Sequence, residues 1–263
     1  FLSNDWGSPY YLNSGYFIFR VFNNGEDMKC RVLAVIPARG GSKRLPRKNI
    51  LPIDGHPMIA YTIIAANESQ LITDCIVSTE DKKIENIAKQ YGASVPFIRP
   101  LELATDTVRN IDVVLHALEY MEHNTGSKYD MIILLQPTSP VRSASHIDIA
   151  IKKLSNSSLQ SLASVKGPFQ KRDPILKKIS HNGELVPYIS DISIDQREPF
   201  YIYNASLYAV KREYFVREKK IISNRQIPLI MDKYHSIDVD EVEDLLVAEA
   251  YLRKINNKKV GTI

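Results

Sequence analysis

The feature that most constrains this chain is a beat of short apolar runs separated by amphipathic stretches, beginning at residues 31–37 (RVLAVIP). An apolar run of that length suits a strand buried on both faces, and such strands belong to parallel sheets whose crossovers are helices. Downstream the pattern predicts a helix from about Pro57 to Ala66, a strand over CIVST at 75–79 and a helix over about 81–91. It then predicts a strand over SVPFIR at 94–99, a helix over about 108–122, a strand over MIILLQP at 131–137 and a helix over about 145–154. This alternation predicts an α/β fold in three layers, a doubly wound and mostly parallel sheet with helices on both faces. Ligands in such folds bind beyond the carboxyl ends of the strands, which selects the loops after Pro37, Arg99 and Gln136.

The rhythm breaks between Val165 and Tyr203. Within that span KKISHNGELVPYI reads as two short strands turning at Asn182-Gly183, so residues 166–203 are expected to form a small inserted hairpin subdomain. Such an insertion suits covering a site or pairing two subunits. Strand-like SLYAV at 206–210 and SIDVD at 236–240 follow, then an amphipathic helix over about 241–254. The main domain is read as 28–263. Residues 1–27, with eight aromatics including Trp6, look foreign to it and are read as a non-native or disordered extension, or as an arm that packs on a partner. A net charge of +4 from 34 basic and 30 acidic residues is too mild and too mixed to argue for nucleic acid. No apolar run approaches the ~20 residues that cross a bilayer. Cys30 and Cys75 lie in apolar runs and are read as buried free thiols in a reducing cytoplasm.

The loop after the first strand carries the strongest chemistry. Residues 37–49 read PARGGSKRLPRKN, placing Arg39, Lys43, Arg44, Arg47 and Lys48 beside Gly40, Gly41 and Ser42. Glycines allow close backbone approach, and free N–H groups with cations suit a polyphosphate. Neither GxGxxG nor the P-loop spacing is present, and a solvated basic loop is the plainer account, but the position after the first strand of an α/β sheet favours the phosphate reading. Asp106 precedes a helical stretch and could cap it. Ser139-Pro140 fits a simple turn. Asp238 and Asp240 are expected at i and i+2 on a strand, which would turn both carboxylates to one face, an arrangement that suits Mg2+; alternatively Asp240 caps the last helix with Glu243 as its reciprocal partner.

Four segments in series then resemble one family: the A-R-x-x-S-K-x-L-P-x-K-N loop at 38–49, RPLELATDT at 99–107, QPTSPVR at 136–142 and SIDVDEVEDL at 236–245. Over about residues 29–255 the chain resembles the CMP-N-acylneuraminate synthetases, also called acylneuraminate cytidylyltransferases. The resemblance implies a Rossmann-like nucleotidyltransferase that moves CMP from CTP to the anomeric hydroxyl of a nine-carbon acidic sugar, with Mg2+ as cofactor. It implies that Ala38, Arg39, Ser42, Lys43, Lys48, Asn49, Arg99 and Asn110 bind CTP, with Arg39 and Lys48 catalytic. It further implies that Gln136 and Arg142 meet the sugar and that Asp238 and Asp240 hold the metal. Lys177 and Arg197 are candidate partners for the sugar carboxylate. Arg44 and Arg47 are expected to be solvated. A homodimer is implied, with the insertion reaching over the neighbour's site.

The likeness thins where the sugar should sit. The family's R-Q-x-x-P and N-G-A-I-Y stand here as Gln196-Arg197-Glu198-Pro199 and Asn204-Ala205-Ser206-Leu207-Tyr208, with alanine in place of the glycine. Legionaminic and sialic acids are equally compatible sugars. The alternatives are a pseudaminate or 3-deoxy-manno-octulosonate cytidylyltransferase, both disfavoured by QPTSP at 136–140, or an inactive nucleotide-binding relative. No histidine is assigned as base: His116 is expected to be packed, and His56 and His235 have no spacing that implies a role.

Overall fold

The computed structural model describes residues 30–169, 177–179, 181–187 and 199–260. Its strands are β1 (Val32–Pro37), β2 (Pro52–Ile53), β3 (His56–Pro57), β4 (Asp74–Ser78), β5 (Met131–Leu135), β6 (Ser161–Phe169), β7 (Lys177–Ile179), β8 (Leu185–Pro187), β9 (Phe200–Lys211) and β10 (Ile227–Met231). Its helices are α1 (Met58–Asn67), α2 (Lys82–Gln90), α3 (Asn110–Thr125), α4 (Ala144–Ser155), α5 (Arg212–Glu218) and α6 (Val242–Val260). Six strands form one sheet in the order β10-β6-β9-β5-β1-β4. β1 runs parallel to β4 and β5, and β10 parallel to β6, while β9 lies antiparallel between β5 and β6. The expected α/β fold with a mostly parallel sheet is what forms.

The apolar run of β1 serves both faces. Val32, Ala34 and Ile36 enter one buried cluster with residues of α1, α2 and α4, whereas Leu33 and Val35 enter another with α3 and α5. A third cluster joins Leu45 of the basic loop to Val141, Val239 and α6 residues Ala248 and Leu252. That cluster pins two distant chain segments against one end of the sheet.

Two expected strands are absent. Residues 94–99 make only a single bridge, Ile76 to Ser94, because Pro96 has no N–H to offer the edge strand β4. Residues 237–240 follow a turn and have no sheet partner. β10 forms where no strand was expected: IPLIM is short, contains Pro228 and lies at the sheet's edge beside β6. The expected hairpin at Asn182-Gly183 forms between β7 and β8, with Gly183 at φ 81 in the turn. Beyond the core, β6 and β9 continue as a two-stranded arm in which the Phe169 and Phe200 rings stack at 5.4 Å. Tyr201, Ile202 and Tyr203 on this arm are all more than 40% exposed. Within the described residues no helix is long and apolar enough to cross a membrane.

Candidate functional site

The carboxyl ends of β1, β4 and β5 open into one cleft of about 240 Å³. Arg39, Ser42, Lys48 and Asn49 line it from the basic loop, Arg99, Asp106 and Asn110 from the segment after β4, and Gln136 and Thr138 from the end of β5. Sequence-predicted residues from three separate segments therefore meet in one place.

The loop's path is set by local contacts. Ala38 is buried, and its N–H donates to the Ser78 carbonyl at 2.9 Å, extending the pairing of β1 with β4 by one residue. The Gly40 N–H donates to Glu80 Oε1 at 2.7 Å. A Cβ on Gly40 would lie 2.4 Å from Asp81 Oδ2 and 2.9 Å from Asp81 Cβ, so only glycine lets the loop press against that turn. Asp81 cannot easily yield, because its carboxylate caps α2 by accepting from the Lys83 and Ile84 N–H groups. Asn49 Nδ2 donates to the Arg39 carbonyl at 3.0 Å and ties the loop's two ends together. Leu45, buried, anchors its middle. Glu80 is a positioning residue that the sequence did not point to; its only signal was its place just beyond the end of β4.

The cations are held in two groups. Arg39 Nη1 lies 2.6 Å and Lys43 Nζ 2.7 Å from the two carboxylate oxygens of Asp106. Lys48 Nζ lies 2.8 Å from Asp240 Oδ1, and Arg44 reaches Asp240 Oδ2 at 3.4 Å. Asp106 does not cap α3, which starts at Asn110. Lys43 stands at the rim outside the cleft lining, and Arg47 is exposed with φ 55. Arg99 is 3% exposed; its Nε donates to Ser78 Oγ at 3.0 Å and its Nη2 to the Ser78 carbonyl. Burial pushes its pKa down to about 10, with nearby Glu80 pulling the other way, so it stays charged at neutral pH.

Asp238 and Asp240 lie on a coil segment rather than a strand. The Val239 N–H donates to the Thr138 carbonyl at 2.8 Å, which holds this segment against the cleft wall. One buried oxygen of Asp238 has no hydrogen-bond partner. Burial raises the Asp238 pKa, with neighbouring Asp240 adding to the rise, while the hydrogen bond from Lys48 lowers that of Asp240. Asp240 does not cap α6 either: Asp244 accepts from the Asp240 and Glu241 N–H groups, both at 2.9 Å.

Arg142 lies apart from the residues that line the cleft. Its guanidinium lies beneath the cleft floor, 3% exposed, and does not line the cleft. Nη1 donates to the Ser206 carbonyl at 2.5 Å and the Gln136 carbonyl at 3.3 Å, and Nη2 donates to Thr62 Oγ1 at 2.9 Å. It fastens the end of β5 to β9 and α1, and burial pushes its pKa down to about 9. The family resemblance implied a sugar contact for Arg142, and nothing local in the sequence marks its burial. Lys177 lies on β7, but its side chain is outside the described residues, as is all of Arg197. Ala205, where the resembling family has glycine, adopts φ 57. His116 packs edge-on against Phe97 with centroids 4.7 Å apart, as expected. Cys30 and Cys75 are free and half-buried.

Comparison with known proteins agrees with this geometry. A family model described as Cytidylyltransferase matches residues 33–256. A Legionella pneumophila protein named CMP-N,N'-diacetyllegionaminic acid synthase is 37% identical over 83% of this chain and 95% of that protein. An Escherichia coli protein named N-acylneuraminate cytidylyltransferase is 32% identical over 89% of this chain and 55% of that protein. A solved structure titled CMP:2-keto-3-deoxy-manno-octonic acid synthetase complexed with CTP shares the fold, with TM-score 0.63 and 17% identity over 85% of this chain and 99% of that one. The family match spans most of the described domain and includes all three segments that line the cleft, so this chain belongs to the cytidylyltransferase family.

Proposed function

We propose that this protein transfers CMP from CTP to the anomeric hydroxyl of a nine-carbon α-keto acid sugar of the legionaminic–sialic type, releasing pyrophosphate. The observation that carries this reading is the convergence of the basic loop, Arg99 and Gln136 on one cleft, with the Asp238–Asp240 segment tied to its lining residue Thr138 by the Val239 N–H. Family membership supports the nucleotide, and the names of the Legionella and Escherichia relatives support the class of sugar.

The hydroxyl oxygen attacks the α-phosphorus in line with the leaving pyrophosphate, so a new O–P bond forms as the bond to the β-phosphate oxygen breaks. Such transfer needs positioning and charge neutralisation more than covalent help. Arg39 and Lys48, preplaced on the cleft wall, offset negative charge that grows on the α-phosphate and the departing group. Gln136 offers its amide at the cleft floor to orient the sugar.

Asp238 and Asp240 fit a divalent cation in their chemistry: two hard oxygen donors, one of them, Asp238, with a buried and unpartnered oxygen and its charge disfavoured by burial and by Asp240. The described residues contain no cluster of three or more His, Cys, Asp or Glu suited to a metal, and Mg2+ characteristically leaves its remaining positions to phosphates and water. Bound there, Mg2+ would neutralise and polarise phosphate oxygens.

The test is pyrophosphate release from CTP with each sugar in turn. Release with a legionaminate- or neuraminate-type acid, abolished by chelation and restored by Mg2+, is expected. Turnover only with octulosonate or pseudaminate would overturn the choice of sugar, and tight CTP binding with no release would indicate an inactive relative. We also propose a cytoplasmic homodimer, supported by the exposed aromatic arm of β6 and β9; a sedimentation coefficient of a monomer at micromolar concentration would contradict the dimer.

A further inference from the structure

We propose that Asp106 is a resident competitor for the phosphate-binding cations, a specificity-determining residue that the incoming phosphates must displace. The inference rests on the cytidylyltransferase reading. It starts from an occupancy: the two oxygens of one carboxylate bridge Arg39 and Lys43 at 2.6 and 2.7 Å, as two oxygens of a phosphate would. Asp106 lines the cleft beside Arg39, so its carboxylate stands inside the space the phosphates need.

The carboxylate has no other duty among the described residues. The nearest helix starts four positions later with Arg109 at its N-cap and no side-chain cap bond. Neighbouring Thr105 and Thr107 bond each other through their hydroxyls at 3.3 Å rather than holding Asp106. The pair of cations keeps the Asp106 carboxyl below its usual range, the hydrogen bond to Lys43 contributing most. Water reaches the cluster: the Asp106 side chain is 37% exposed and that of Lys43 81%. Such an ion pair exchanges readily, because water replaces each partner at little cost.

One carboxylate charge stands against the several charges of a triphosphate. A ligand rich in charge displaces Asp106 easily, and one with a single phosphate does so poorly, so the residue steepens discrimination for CTP over CMP. After transfer, Asp106 can recapture Arg39 and Lys43 and help expel pyrophosphate. A mere brace for the loop would act in the opposite direction, since removing it would loosen the cations and weaken phosphate binding.

Calorimetric titration of the full chain with inorganic pyrophosphate, CMP and CTP separates the two. Asp106→Asn should bind pyrophosphate about three- to tenfold more tightly than the wild type, the scale of a released surface ion-pair cluster. Asp106→Glu, which keeps the charge, should stay within about twofold. The gain should shrink as salt rises, because the competing pair is exposed. The preference for CTP over CMP should narrow in Asp106→Asn. Weaker or unchanged pyrophosphate binding by Asp106→Asn, with a thermal transition like that of the wild type, overturns the competitor role alone. A wild-type protein that binds neither CTP nor pyrophosphate overturns the nucleotide reading and this proposal with it.

Discussion

The two ends of the basic loop are held by the same chemistry in different surroundings. At the outer end Arg39 and Lys43 share Asp106; at the inner end Lys48 and Arg44 share Asp240. Lys43 is 81% exposed and Lys48 only 16%. Asp106 has no acidic partner in the cluster, whereas Asp240 stands two residues from the half-buried Asp238, whose pKa its charge helps to raise. An ion pair's role is thus set by desolvation and by the third charge nearby, not by the pair itself. On the proposed reading the exposed Lys43 is exchangeable, and the sheltered Lys48 belongs to the machinery.

The largest effect should come from removing the sheltered cation. Lys48→Ala should lower kcat/KM by about 100-fold or more, the scale of losing a preorganised electrostatic contact, while Lys43→Ala should cost about tenfold or less. Equal losses in steady-state assays would erase the distinction between the two ends.

Arg142 extends the comparison to a cation desolvated without any carboxylate. Arg142→Ala would take one donor from each of the Ser206 and Gln136 carbonyls and from Thr62 Oγ1 and leave a cavity, which should cost about 3 kcal/mol and lower Tm by roughly 6–12 °C. An unchanged Tm with a raised sugar KM would instead make Arg142 a sugar ligand.

His146 offers a milder case, a half-buried group whose charged form is disfavoured. It lies against His235, with centroids 4.7 Å apart, and the Asp232 carboxylate holds His235 from the far side at 2.8 Å. Burial first, then His235, pushes its pKa down to about 4 from an ordinary 6.5, with Asp232 opposing and Arg142 adding to the fall. Because the folded value is the lower one, the unfolded chain takes up the proton first. Stability from this site is complete above pH 6.5 and is lost as pH falls toward 4. Thermal melts should show Tm declining across that window, and His146→Gln should flatten the decline.

The smallest effect is expected at Arg44. It is 66% exposed and 3.4 Å from Asp240, so Arg44→Ala should change kcat/KM by less than about twofold. A loss as large as that of Lys48→Ala would show that proximity to Asp240, not shelter from water, decides.

Much of this was legible in the chain. The apolar runs of β1 and β5 and the loops at their carboxyl ends follow from local pattern, and those loops carry Arg39, Lys48 and Gln136 to the cleft. What failed depended on distant partners. Residues 94–99 have strand-like composition, yet Pro96 and an edge position leave them with one bridge. β10 exists because β6 offers it an edge. Asp106 and Asp240 both looked like helix caps, and both were claimed by cations of a loop far away in sequence. Arg142 read as a ligand because burial beneath Ser206 and Thr62 is a property of the assembled sheet.

The central claim is that three separated segments form one nucleotide site. Hydrogen–deuterium exchange with and without CTP tests it directly. The account predicts slowed exchange together in residues 38–49, 99–110 and 136–140. Protection confined to one of these segments, or falling elsewhere on the molecule, would contradict it.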